Sequence, residues 1–142
     1  MHSPLQLKDH RILRINFDSR QIEDQNSELV FSHAMEIFHL TDQDHTWLVR
    51  LDVQFKAGSV SAVAPYFGEI AVVGTFTIAP EFPEEKTMDL VYMNGGALLY
   101  GMVREILCTI TSRGIHGPIL LPTLDARSFI PEKPAIIGED NG

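Results

Sequence analysis

Apolar and polar residues alternate along most of the first half of the chain, and the period then changes. From His10 to Ser19, Leu13, Ile15 and Phe17 alternate with Arg14, Asn16 and Asp18, the period-2 pattern of a half-buried strand. Residues 1 to 8 carry no such pattern and read as a loose lead-in. The polar stretch RQIEDQNSE is long for a hairpin turn and reads as a crossover loop. Leu29 to Leu40 forms a second run. Phe31, Met35 and Ile37 share one parity with His33 and His39, while Val30, Ala34, Phe38 and Leu40 share the other. A strand apolar on both faces is either covered twice or exposes a patch that binds something. Thr46 to Lys56 is the cleanest alternation, with Trp47, Val49, Leu51, Val53 and Phe55 on one face. After the small-residue loop AGSVSAVAP, Tyr66 to Ile78 reads as a fourth strand. Its inward side is Ile70, Val72, Phe76 and Ile78, with Gly68 and Gly74 placed where a helix approaches closely. Phe67, Glu69, Ala71, Val73, Thr75 and Thr77 point out.

PEFPEE ends the strand pattern, and helical spacing begins. Glu84 to Met93 reads as a short helix with acidic residues in its first turn, interrupted by Gly95 and Gly96. A main helix then runs to about Ser112. Leu99, Val103, Ile106 and Ile110 form its central stripe, and Leu98, Met102 and Leu107 widen it to about half the circumference. A helix on a sheet needs only ~100° of apolar face, so the excess implies a second apolar neighbour: the same helix in another subunit. These seven residues are the expected oligomer interface. Arg113 suits the C-terminal end, and Gly114 is placed to supply a left-handed cap. Ile115 to Pro122 reads as apolar and extended, with Leu124 and Phe129 anchoring it to the sheet.

The 142 residues make one domain on length, and the 44% hydrophobic content suffices for a core. A net charge of −8 with only 11 Lys+Arg disfavours nucleic acid as a partner. The acidity serves solubility or an acidic face that docks a basic partner. A lone cysteine, Cys108, excludes an intrachain disulfide. No signal-peptide pattern and no membrane-length apolar run is present, so the expectation is a cytoplasmic protein.

Candidate chemistry is sparse. No histidine pair has metal-ligand spacing, and His33 and His39, on one strand face, lie about 20 Å apart at ~3.3 Å per residue. Cys108 has no adjacent histidine to activate it. Asp42 and Asp44 read as turn-formers. Nucleotide-binding and nucleophile-elbow motifs are missing. The expectation is a non-enzyme without metal or cofactor.

Three stretches resemble the SecB-like protein-export chaperones: TWLVRLDVQFKA, EIAVVGTFTIA and REILCTITSRGIHGPILLPTLDARSF. The last carries most of the likeness through the order Arg104-Glu105, Arg113-Gly114, Leu121-Pro122, Asp125-Ala126. The resemblance implies an α+β fold over residues 1–130: a four-stranded antiparallel sheet with a crossover loop between the first two strands. A long helix packs on it and the assembly is a dimer of dimers; the tail 131–142, with no period and with Pro and Gly, is expected to be flexible on its composition instead. The resemblance implies a holdase that binds unfolded preproteins and delivers them to the SecA translocation motor. The residues matching the family's motor-docking face are Asp18, Phe67 and Glu69, whereas a further acidic position of that face falls on Arg14. Thr123 and Leu124 replace the family's Asn-Phe, and Pro131 and Pro134 interrupt its second helix.

The apolar residues expected to bind clients are Phe31, Met35, Ile37 and Phe38, with Ile119 and Leu121 of the exit segment. The alternative is a SecB-fold adaptor or toxin–antitoxin-associated chaperone serving one specific partner through an acidic sheet face.

Overall fold

The computed structural model describes residues 2–20, 29–43, 45–57 and 64–131. Four strands, β1 (Leu5–Ser19), β2 (Leu29–His39), β3 (Thr46–Ala57) and β4 (Tyr66–Ile78), form one antiparallel sheet in the order β1-β4-β3-β2. The first two strands are thus the two edges. Residues 21–28, read as the crossover loop, lie outside the described residues, as do 58–63 of the small-residue loop, Asp44 and the tail from 132.

The central strands follow their sequence pattern closely. Val49, Leu51, Val53 and Phe55 of β3, with Ile70, Val72, Phe76 and Ile78 of β4, are at most 5% exposed. β1 departs from its pattern. It begins at Leu5, inside the expected lead-in, because Leu5 and Leu7 pair with Ile78 and Phe76 on the buried face. Register shifts between Leu7 and Asp9 and between Ile12 and Arg14 leave Lys8 and Leu13 without register partners. Leu13 is therefore a bulge residue, and Ile12 takes the position opposite Val72.

The helical part is one continuous run. A 3-10 turn (Glu84–Lys86) leads into α1 (Thr87–Leu90), a π-turn (Val91–Gly95) and α2 (Gly96–Thr111). Gly95 and Gly96 do not interrupt the helix, contrary to expectation; the π-turn carries the backbone through them, and their bareness lets it sit close. A Cβ on Gly96 would lie 2.6 Å from Cγ of Phe129. On the sheet side, a Cβ on Gly74 would meet Leu99 at 3.1 Å. Gly68 has a different role from the one expected. Its close neighbour is not a helix but the β1 backbone, since a Cβ there would be 2.0 Å from the Asn16 carbonyl oxygen.

Leu99, Val103 and Leu107 are fully buried on the sheet, each contributing about 1.5–3 kcal/mol of burial. That exceeds what helix propensity, at most ~1 kcal/mol per residue, can decide, so packing sets this helix's position. Gly114 is not the left-handed cap. Among the described glycines only Gly68 and Gly117 have positive φ, and Gly114 is small because a Cβ would fall 2.4 Å from the Tyr66 hydroxyl. That buried hydroxyl receives the His116 N–H and donates to the Gly117 carbonyl, both at 2.9 Å, which fixes the loop after the helix.

The exit segment returns along one flank of α2. Tyr100 Oη donates to the Pro122 carbonyl at 2.7 Å, and Arg104 Nε to that of Leu121 at 3.1 Å. A short 3-10 turn (Ala126–Phe129) then seats Phe129 against Gly96, Tyr100 and His33, as its expected anchoring role requires. Asp125 caps this turn by accepting from the Arg127 N–H at 3.0 Å, and it pairs with the Arg127 guanidinium at 2.8 Å. The Arg127 side-chain hydrogen bonds, helped by the capped N–H, hold the Asp125 carboxyl down at about 2.

Two glycines of the same helix separate the packing argument from propensity. Gly101→Ala, with nothing within 4 Å of its added Cβ, should raise stability by roughly 0.5–1 kcal/mol. Gly96→Ala should lower it by about 1–2 kcal/mol, because overpacking against the Phe129 ring outweighs the propensity gain. Urea unfolding of both variants checks this, and a stabilised Gly96→Ala would refute the seating described.

The Asp125 cap has its own signature. Folding lowers this pKa, so the pair favours the folded state above the ordinary carboxylate value of 3.8 and loses that contribution as pH falls towards about 2. Carboxyl NMR should find Asp125 titrating near the lower value and moving up in Arg127→Gln; an unmoved value would show the pair to be absent.

Candidate functional site: two apolar surfaces and a charge-paired face

The sheet has a helix side and an outer side, and register assigns each residue to one. On β2, Phe31, Met35 and Ile37 stand opposite Phe55, Leu51 and Val49, on the helix side. Being on an edge strand they are only half-buried, although they pack against the core. Phe38 does not join them. It lies on the outer face opposite Leu48 and is 48% exposed. The exit segment also divides. Leu121 is fully buried and has no surface to offer a client, and Ile119 is half-buried with its N–H given to Thr111 Oγ1 at 2.8 Å. The exposed side chains there are Ile115 and Leu120, both 66% exposed, which the sequence reading passed over. The exit segment meets this strand at Phe129, whose ring centroid lies 5.2 Å from that of His33.

A second apolar surface lies on the other side of α2. The exit segment occupies the flank of Gly96, Tyr100 and Arg104, whereas Leu98 lies beside Ser3 and Leu5 at the start of β1. Of the seven residues expected to form an interface, Leu99, Val103 and Leu107 face the sheet and are fully buried within the subunit. Leu98, Met102, Ile106 and Ile110 form the adjoining i, i+4 row, half-buried except for the more exposed Leu98. Further along β1, whose start lies beside Leu98, Ile12 is 52%, Leu13 50% and Ile15 38% exposed. These β1 residues were not singled out as a surface, although their clustered apolar character is visible in the sequence.

The outer face brings Asp18, Phe67 and Glu69 together around an open depression of about 640 Å3 that Gln54 and Lys56 also line. Glu69, one of its carboxylates, is engaged by neighbouring side chains. Arg14 Nη1 lies 2.8 Å from Glu69 Oε2, and Asn16 Nδ2 donates to the same oxygen at 3.2 Å. The hydrogen bond from Arg14 is the main cause that holds the Glu69 carboxyl below its ordinary value. Arg50 pairs with Asp52 at 2.8 Å, and the Arg20 guanidinium sits 4.9 Å over the Phe67 ring. The face is consequently mixed in charge rather than acidic. Ala71, flanked in register by Arg14 and Asp52, is only 2% exposed even though it points outward.

Among the described residues no group of three His, Cys, Asp or Glu side chains is placed to hold a metal ion, and Cys108 is a free, half-buried thiol. No helix is long and apolar enough to cross a membrane.

No family model matches the sequence, and no curated protein matches it. Similarity emerges from the fold. The SecB-like chaperone Rv1957 of Mycobacterium tuberculosis, solved in complex with a ChAD peptide from the Rv1956 HigA1 antitoxin, superposes with a TM-score of 0.65. The match covers 86% of this chain and 88% of that one at 16% identity. A Streptococcus agalactiae protein of unknown function matches more loosely, at a TM-score of 0.46 and 14% identity over 83% of this chain and 96% of that one. A four-stranded antiparallel sheet with its first two strands at opposite edges, and one long helix laid on one face, gives this chain the SecB-like fold.

Proposed function

We propose that the chain is an ATP-independent holdase that captures extended apolar segments of unfolded polypeptides. The observation that supports this is the half-buried row Phe31, Met35 and Ile37 on an edge strand that the exit segment reaches where Phe129 lies against His33. An edge strand offers unpaired backbone groups to an extended chain, and its alternate side chains offer apolar contact. Affinity would come from buried area, at ~25 cal/mol per Å2, and from avidity across subunits. The peptide bound to the M. tuberculosis chaperone of like fold supports this mode.

Self-association follows from the second apolar surface, formed by Leu98, Met102, Ile106 and Ile110 with Ile12, Leu13 and Ile15. Exposed apolar area of this kind favours a partner surface over water. The assembly we propose is a cytoplasmic dimer of dimers. In its finer form the reading includes delivery to the SecA motor through Asp18, Phe67 and Glu69. The engagement of Glu69 by Arg14 and Asn16 speaks against that docking, and a second reading dispenses with general handover. The chain would then be an adaptor or toxin–antitoxin-associated chaperone for one specific partner.

Aggregation of a reduced, unfolded test protein separates these readings. The holdase should suppress it at stoichiometric amounts, and Met35→Asp or Leu120→Asp should weaken suppression roughly tenfold with the oligomer intact. Undiminished suppression in both variants would exclude the β2 row, and no suppression by the unaltered chain would favour the single-partner adaptor.

Light scattering on a sizing column should find a tetramer at micromolar concentration. Ile12→Asp combined with Leu98→Asp should reduce it to a smaller species. A monomer of the unaltered chain would sink the proposed interface.

A further inference from the structure

We propose that a depression at the turn end of the sheet is a separate recognition site that takes an arginine or lysine side chain of a polypeptide partner. It rests on the polypeptide-binding reading above but shares no residue with the Phe31, Met35 and Ile37 row. A cavity of about 450 Å3 opens there between the β2–β3 turn, the end of β4 and the first helical turns. One wall is Trp47 with the His39 ring stacked on it, centroids 4.6 Å apart and planes 14° from parallel. Phe82, Ile78 and the 53%-exposed Met88 complete the apolar lining, and Glu84 is its one carboxylate.

His39 and His45 line the cavity beside the turn, and the helix-start side is acidic. Glu81, Glu85 and Asp89 are exposed beside Glu84, and Lys86 is the sole basic residue between positions 79 and 90. The walls are held by local hydrogen bonds. The Ile78 N–H donates to the His45 carbonyl at 2.9 Å, the Phe82 N–H to that of Ala79 at 3.0 Å, and Thr87 Oγ1 to that of Pro83 at 3.1 Å. The cavity is therefore a formed feature of the fold.

Chemistry selects the occupant. A purely apolar anchor would desolvate Glu84 without giving it a partner. An anionic one would meet Glu84 in the cavity and acidic residues on either side of it in the sequence. An arginine or lysine satisfies both parts: its methylene stem lies along Phe82 and Met88, its cationic head meets an aromatic face, and its N–H groups reach Glu84.

Trp47 is the only tryptophan in the chain, so its emission reports this cavity directly. The probe is a short capped Gly/Ser peptide with one central arginine, compared with lysine, glutamine and norleucine at that position. The expected result is a saturable change in Trp47 emission with arginine or lysine, roughly fivefold weaker with glutamine or norleucine and in Glu84→Gln. Glu84 and Met88 are both exposed, so Glu84→Gln and Met88→Ala keep the fold, which circular dichroism verifies. Equal binding of the norleucine peptide, equal binding by Glu84→Gln, or no saturable change would overturn the proposal. Failure of the holdase reading is distinguishable. Loss of aggregation suppression in Met35→Asp with an unchanged arginine-peptide titration leaves this site standing, and suppression without any peptide response removes this site alone.

Discussion

The fold depends on how closely one helix can lie on the sheet. Three glycines set that distance. Gly74 admits Leu99 from the sheet side, Gly95 faces Val49 and Phe76, and Gly96 leaves room for the Phe129 ring. With the gap closed, Leu99, Val103 and Leu107 reach zero exposure, and the π-turn keeps the helix continuous across the two glycines instead of breaking it. A break would cost backbone hydrogen bonds; a π-turn re-spaces them, with Gly95 towards the sheet and Gly96 towards Phe129.

That seating also divides the surface of the molecule. Phe129 and the hydrogen bonds from Tyr100 and Arg104 commit one flank of α2 to the exit segment. The opposite flank, from Leu98 to Ile110, receives no such cover, and Leu98 lies beside the start of β1, the strand that exposes Ile12, Leu13 and Ile15. The same asymmetry brings the exit segment to β2, where Phe129 lies against His33. Client capture and self-association, as proposed, thus fall to opposite flanks of one helix and do not compete for the same side chains.

The sequence was most legible where one face of an element is buried and the other wet. β3 and β4 meet that condition, and their bounds and inward residues follow from alternation alone. β1 does not, because two bulges reset its parity and hid Leu5 and Leu7 in what looked like a lead-in. The excess apolar width of α2 was visible, but a helical wheel does not say which part of a wide stripe meets the sheet. Leu99, Val103 and Leu107 took that place, and the adjoining row was left outside it. In the exit segment no period exists to read. Hydrogen bonds to the carbonyls of Leu121 and Pro122 turn Leu121 inward and Leu120 outward, and those donors lie 17 and 22 residues away. On the outer face, the pairing of Glu69 with Arg14 across strands depends on register, which composition does not contain.

The two edges of the sheet differ in what they can accept. β2 pairs with β3 without a register shift from Leu29 to His39, so its free edge presents evenly repeating backbone groups. An extended chain can follow such an edge while its side chains meet Phe31, Met35 and Ile37 at alternate positions. β1 carries two bulges, and a bulge bends the strand and breaks the repeat on its free edge. What β1 offers instead is side-chain area, Ile12, Leu13 and Ile15. Main-chain pairing therefore favours β2 for a transient polypeptide of any sequence, and side-chain packing favours the β1 flank for a partner of fixed shape, such as another copy of the chain.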